Sequence, residues 1–286
     1  MPDLVQSTQA TSPKQATEGR YIRRFTPAQR MLHAVLFSTF LGLAATGLPL
    51  RFSESIWARG LAKGVGGFGA ILFLHKFCAL ALTIAFLIHL KDIFQRALKR
   101  ERGIFWGATS MVANWKDVKD IFAHMRWFIG LGPKPKFDRY AYWEKFDYWA
   151  VFWGMLVIGF SGYAMWFAPF FAHFLPGWAL NAVLIIHSEE GLLAILFIFA
   201  IHFVNTHLRP DSFPMDMVVF TGVESEEEFR HRRPLEYQRM VAEGRLETRI
   251  GEKPQRWFLN FSRIVGYLAI SVGVILLILT LSAYFG

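Results

Sequence analysis

The segment VLIIHSEEGLLAILFIFAIHFVNTH, residues 183–207, is apolar enough to cross a membrane, yet it holds three histidines and two adjacent glutamates. Of the nine histidines in the chain, His33, His75, His89, His187 and His202 fall within apolar stretches of this kind or one turn inside their ends. A polar ring in hydrocarbon is costly, so an intramembrane histidine is read first as a functional group. A lone one serves equally well as an interhelical hydrogen-bond partner. The spacing points further. His75 and His89 are 14 residues apart, and His187 and His202 are 15 apart. On an α-helix these separations amount to roughly 21–22 Å along the axis, with angular offsets of about −40° and +60°. Each pair therefore looks to broadly one side of its helix. Two such helices face to face present imidazoles near each membrane surface. Neutral imidazole is an axial ligand of haem iron, so the pattern predicts two haems held between helices. His33 lies at the depth of His89 and His202, and three histidines then compete for two axial positions of the inner haem. His207, turned about 140° from His202, is placed at the lipid–water boundary.

The elements that must position these residues are membrane spans. A span needs about 20 mostly apolar residues, and segments 31–50, 69–93, 147–168, 180–204 and 263–285 qualify. The expected fold is an all-α integral membrane protein: a four-helix haem-binding bundle plus a fifth, C-terminal transmembrane helix. The expected organisation is a disordered cytoplasmic tail over 1–28, a dihaem domain over 29–206 with a cytoplasmic loop at 94–146, a charged cytoplasmic segment at 207–262, and the additional helix at 263–286. No internal repeat is evident. Loop 94–146 is expected to hold a short surface helix and a turn at Pro133 and Pro135, and the charged segment to be helical to about Arg249.

The net charge of +9 does not point to nucleic acid, because its distribution follows the loops. The tail carries five Lys/Arg, loop 94–146 eleven and loop 205–262 nine; loop 51–68 carries three and loop 169–179 none. Basic loops stay cytoplasmic, which puts the N-terminus inside and the C-terminus in the periplasm of a bacterial-type inner membrane. The single cysteine, Cys78, excludes an internal disulfide, covalent c-type haem and cysteine-held iron–sulfur or zinc sites.

Other polar groups have candidate roles. Lys76 is expected to pair with Glu190 near the outer face, since an unpaired charge there is costly. Glu144, Asp147, His89 and His207 are candidates for quinone contact or proton transfer near the inner haem. Arg51 and Lys76 could meet haem propionates. Gly42 and Gly47 on span 1, and Gly154, Gly159 and Gly162 on span 3, leave room for a flat macrocycle or for close helix packing.

Four motifs in order resemble the cytochrome b (gamma) subunits of membrane-bound formate dehydrogenases, hydrogenases and thiosulfate reductases. They are QRMLHAVLFSTFLGLAATGLPL, LHKFCALAL, LIIHSEEGLL with AIHFVNTH, and MDMVVFTGVESEEEFRHRRPLEYQRM. The resemblance runs from about Arg30 to Met240. It implies two b haems, with His75 and His187 on the outer one and His33 and His202 on the inner one, a quinone site near the inner haem, and an iron–sulfur partner at the outer face. The chain departs from the family in its extra His89, in a span-4 spacing one residue longer, and in Glu189 and Glu190 after His187. A fifth span follows, and Ala141 and Trp143 stand where the family has Asn and Gly beside its quinone.

Together these readings predict a dihaem cytochrome b linking the quinone pool to a periplasmic redox subunit of iron–sulfur, molybdoenzyme or multihaem cytochrome c type. His33 is favoured over His89 for the inner haem on the strength of the resemblance, whereas helix geometry alone favours His89. The rival expectations are a self-contained reductase of the cytochrome b561 type, and a structural or transport protein whose histidines carry no haem.

Overall fold

Thr26 and Gln29 close a capping box: the Gln29 N–H donates to Thr26 Oγ1 (3.2 Å) and the Thr26 N–H to Gln29 Oε1 (2.9 Å). Pro27 sits in the first turn, where its missing N–H costs nothing. From there α1 runs Pro27–Arg51. The chain continues through α2 (Ile56–Val65), α3 (Phe68–Leu98), α4 (Trp115–Phe128) and α5 (Tyr142–Gly154). A π turn at Met155–Gly159 joins α5 to α6 (Phe160–Trp166), and the short α7 (Ala168–Phe171) leads to α8 (Gly177–Phe197). Two π turns, Ile198–His202 and Val204–Leu208, extend α8. A computed structural model describes residues 19–210 and 212–285.

Among the described residues five helical runs are long and apolar enough to cross a membrane: Pro27–Arg51, Phe68–Leu98, Tyr142–Trp166, Gly177–Leu208 and Arg256–Tyr284. Their outward faces carry large apolar side chains such as Phe73, Phe77, Leu87 and Ile88. Exposure on this scale is unfavourable in water and costs nothing in lipid. The chain is a mostly helical, multi-pass membrane protein. Its bundle closes around Ala44, Leu48, Leu192, Ile195, Phe199 and Leu276, contributed by α1, α8 and the last helix, α12 (Arg256–Phe285).

One end of the bundle carries a small sheet-containing unit that composition did not reveal. Strand β1 (Tyr21–Arg23) pairs antiparallel with β2 (Val223–Ser225) on one side and β3 (Ile250–Gly251) on the other. Helices α9 (Val218–Thr221), α10 (Glu226–Arg232) and α11 (Pro234–Ala242) surround it, over a core of Ile22, Phe229 and Met240. Three expectations change here. The tail expected to be disordered over 1–28 contributes the central strand at 21–23 and the start of α1, because Ile22 has a core to enter; residues 1–18 lie outside the described residues. The segment expected to be helical to Arg249 is broken by β2, by Pro234 and by the turn at Gly244. The fifth span begins at Arg256 rather than 263, since RWFLNFS already continues the helix. This end is called the sheet end below, and the opposite one, with α2 and α7, the far end.

Ion pairs knit the sheet end together. Arg139 Nη1 and Arg24 Nη1 both meet Glu236, at 2.9 and 3.2 Å, and each arginine donates to the other's carbonyl at 3.0 Å. Arg232 joins Asp216 (2.5 Å) to Glu224 (2.9 Å). Burial alone would raise the Asp216 carboxyl, but the charge and hydrogen bond of Arg232 hold it below its ordinary value of 3.8. A depressed carboxylate stabilises above its unfolded value, and that stability is lost as pH falls through the folded value. Arg232→Ala takes the hydrogen-bonded cation from two enclosed carboxylates and is expected to destabilise this unit by about 3 kcal/mol. Faster amide exchange over 212–240 at neutral pH is the readout. Unchanged exchange would mean the network is dispensable.

Candidate functional site

Toward the far end, His75 on α3 and His187 on α8 face each other with ring centres 6.2 Å apart and planes at 77°. Each ring is held the same way. Thr46 donates its hydroxyl proton to the Gly42 carbonyl (2.6 Å), so its oxygen can only accept from His75 Nδ1 (2.9 Å). Ser161 donates to the Val157 carbonyl (2.6 Å) and likewise accepts from His187 Nδ1 (3.2 Å), which also donates to the Ile158 carbonyl (3.0 Å). With Nδ1 carrying the proton, Nε2 of both rings keeps its lone pair.

The residue after each hydroxyl is a glycine, and each lies close against its histidine ring. A Cβ on Gly47 would lie 3.2 Å from His75 Cε1, and one on Gly162 would lie 2.9 Å from His187 Cε1. The helix pairs α1/α3 and α6/α8 thus repeat one arrangement, a hydroxyl–glycine dipeptide cradling a histidine of the next span. This is the internal repeat that the sequence does not make evident. One trace of it there is Thr46-Gly47 and Ser161-Gly162, 115 residues apart.

Toward the sheet end, His202 Nδ1 donates to Asp147 Oδ2 at 2.9 Å, so its Nε2 is also free. His33 and His207 are near enough to interact electrostatically with it, and the His207 ring lies edge-on at 6.4 Å. His33 stacks obliquely on Phe37 (5.9 Å) and makes no hydrogen bond to another described residue. The extra residue between His187 and His202 is absorbed by the π turn Ile198–His202. A π turn closes i→i+5 bonds and so takes up one residue, which returns His202 nearly to the phase it would have at a spacing of 14.

His89 is arranged differently. Its Nε2 is engaged by Tyr148 OH at 3.0 Å, and its ring meets Tyr148 and Phe152 edge-on. The other candidates fall apart. Glu144 accepts from the Ala141 N–H and from Arg233, both at 2.7 Å. It borders a cavity of about 250 Å³ lined also by Trp143, Thr206, Arg232 and Lys136.

The expected Lys76–Glu190 pair is not formed. Lys76 lies over the Trp166 ring at 5.0 Å, and Glu190 accepts from Trp153 Nε1 at 3.3 Å. Instead Arg51, at the end of α1, reaches Glu189 (2.9 Å), Ser188 and Tyr284 (3.0 Å), tying α1, α8 and α12 together. Depth along the helices placed Lys76 and Glu190 at one level. Their directions around the helix axes separate them.

No protein-family model matches this sequence, and no curated protein matches it. The site has to be read from its own chemistry. Among the described residues no group of three or more His, Cys, Asp or Glu is arranged to hold a bare metal ion. What the bundle offers toward the far end is a facing pair of imidazoles. Two imidazoles bound on opposite sides of one metal through ~2.0 Å bonds have ring centres roughly 6 Å apart, and the His75–His187 pair already has that spacing. Its free Nε2 atoms, its fixed tautomers and the glycine beside each ring fit bis-imidazole haem.

Proposed function

We propose that the chain is a dihaem b-type cytochrome of a bacterial inner membrane, passing electrons between the quinone pool and a periplasmic redox subunit. The observation that carries this reading is the His75–His187 pair: two rings 6.2 Å apart, each oriented through Nδ1 by the neighbouring span. On this reading His75 and His187 hold one haem, and His33 and His202 hold the other nearer the sheet end. Haem, when bound, supplies reversible one-electron chemistry. The protein's part is to fix each ligand's tautomer, raise its basicity through the Nδ1 partner and keep water out. Asp147 does this for His202, and the Ile158 carbonyl with Ser161 does it for His187. The similarity to the gamma subunits of formate dehydrogenases supports the same assignment, and the departures noted above suggest a different redox partner.

The basic loops orient the sheet end to the cytoplasm. In a Cys78-free chain, a cysteine at the exposed position of Glu227 is then expected to escape an impermeant thiol reagent in intact cells. Labelling there would invert the topology.

The glycine cradles give a direct test of the haem reading. Gly162→Ala forces His187 to shift, whereas Gly159→Ala adds a methyl whose nearest neighbour is Met155 Cε at 3.8 Å. The first is expected to lower the content of one haem or move its reduction potential, and the second to leave both haems as they are. Identical spectra for the two variants would remove His187 from the ligand set.

A further inference from the structure

Between α3 and α5 the chain leaves large apolar side chains exposed outside the spans, among them Trp106 (78%), Trp115 (70%), Phe122 (62%) and Phe128 (70%). Helix α4 carries the last three, and its sides divide by chemistry. Counted from Trp115 at about 100° per residue, Phe122, Met125, Ile121 and Phe128 fall at roughly −20° to −140°, Arg126 and Lys119 at about +20° and +40°, and His124 and Asp117 at about 180° and 200°. The third of these sides is used by the protein itself. Asp117 accepts from Lys145 Nζ at 2.8 Å, and His124 Nδ1 meets Tyr142 OH at 3.0 Å with the rings of Trp143 and Phe137 against it. Both residues are buried. The apolar side stays open, with Lys119 and Arg126 exposed along its edge.

The attachment of α4 sets its level. Trp149 donates from Nε1 to the Met111 carbonyl at 3.0 Å, three residues before the cap Asn114. Lys145 and Trp149 are four residues apart and so share one side of α5, and the start of α4 is fixed to that side. Trp149 lies about 10 Å along the third span from Tyr142, and its ring is exposed together with that of Phe146. An indole with its N–H satisfied and its ring in an apolar phase is favoured at a membrane–water boundary.

We propose that α4 lies in the plane of the membrane surface at the sheet end, with its apolar side in the bilayer and Lys119 and Arg126 against anionic lipid headgroups. A helix with aromatic and aliphatic residues on one side and Lys/Arg beside them settles roughly 5–10 Å into the boundary between headgroups and acyl chains. Apolar surface on this scale is unfavourable in water, and the spans already bring the bilayer to this level. Lys99, Arg100 and Arg102, exposed at the end of α3, add positive charge to the same loop, which favours a leaflet of negative charge. Lipid thus accounts for the open apolar side, its basic edge and the attachment to the third span together. The contact needs no haem, so it stands or falls apart from the cytochrome reading.

The test is the depth of nitroxide labels on the full-length, Cys78-free chain in nanodiscs of phosphatidylcholine, with and without phosphatidylglycerol. Labels are placed by Phe122→Cys, Met125→Cys and, as the aqueous reference, Glu227→Cys. All three positions are exposed, so the substitutions leave the Asp117 and His124 contacts in place. The ratio of oxygen to nickel-chelate accessibility is expected to be several-fold higher at 122 and 125 than at 227. Lys119→Glu with Arg126→Glu is expected to lower that ratio at 122 where phosphatidylglycerol is present, and to change it less in phosphatidylcholine alone. Nickel access at 122 and 125 equal to that at 227 would overturn the membrane contact. Low access to both reagents would place protein, a second copy of the chain, on this side and overturn it equally. A depth indifferent to phosphatidylglycerol and to charge reversal would overturn the headgroup contact of Lys119 and Arg126.

Discussion

His75→Ala and His187→Ala are each expected to remove one of two haem signals and leave the other in place. The two rings face each other at 6.2 Å, and each offers Nε2 because Nδ1 is committed to Thr46 or to Ile158 and Ser161. Deleting either ring would leave a haem with one of its two proposed imidazoles, and its loss or a changed spectrum is the expected result. The second proposed pair, His33 on α1 and His202 in the extension of α8, lies toward the sheet end, roughly 20 Å from His187 along the helix axis, so its signal should persist. Haem content per chain then falls by half in both variants, with the same signal lost. Loss of different signals in the two variants would mean that the rings belong to separate haems.

The second large effect separates His33 from His89. His33→Ala is expected to lose the haem at the sheet end and keep the other. His89→Ala is expected to keep both and impair quinone binding. Which imidazole nitrogen is available is set by the bond the other one makes. Nδ1 of His202 is held by Asp147, and His33 makes no hydrogen bond to another described residue. His89 has its Nε2 on Tyr148, so ligation through that atom would require breaking an interhelical bond and turning the ring. Asp147→Asn adds a graded check. Removing the charge that steadies His202 is expected to weaken the sheet-end haem by about 10–100-fold in affinity and leave the His75–His187 haem intact. Haem retained in His33→Ala and lost in His89→Ala would reverse the assignment.

The spans were legible because hydropathy is a property of composition along the chain. All five appear in the structure, displaced by a few residues at their ends where apolar stretches pass into amphipathic turns. The pairing of His75 with His187 was legible because two residues on facing helices at one depth need only the helical rise to be placed. Azimuth was harder. Lys76 and Glu190 share a depth but not a direction, and Arg51, which does reach the glutamate pair, stands on a helix whose orientation no periodicity reported. A change of helix type was invisible as well: the spacing of 15 gave His202 an offset of about +60° on a regular helix, and the π turn at Ile198–His202 cancels most of it. The sheet escaped notice for a topological reason. Its strands are two or three residues long and come from positions near 22, 224 and 250, so no local pattern of alternation could develop.

The central claim, that paired histidines hold two haems, is tested most directly by the haem content of the purified full-length chain. The expected result is a b-type reduced-minus-oxidised spectrum with about two haems per chain, falling to about one in His187→Ala and to none in the His187→Ala/His202→Ala double variant. A wild-type chain with no haem, or a double variant with undiminished content, would contradict it.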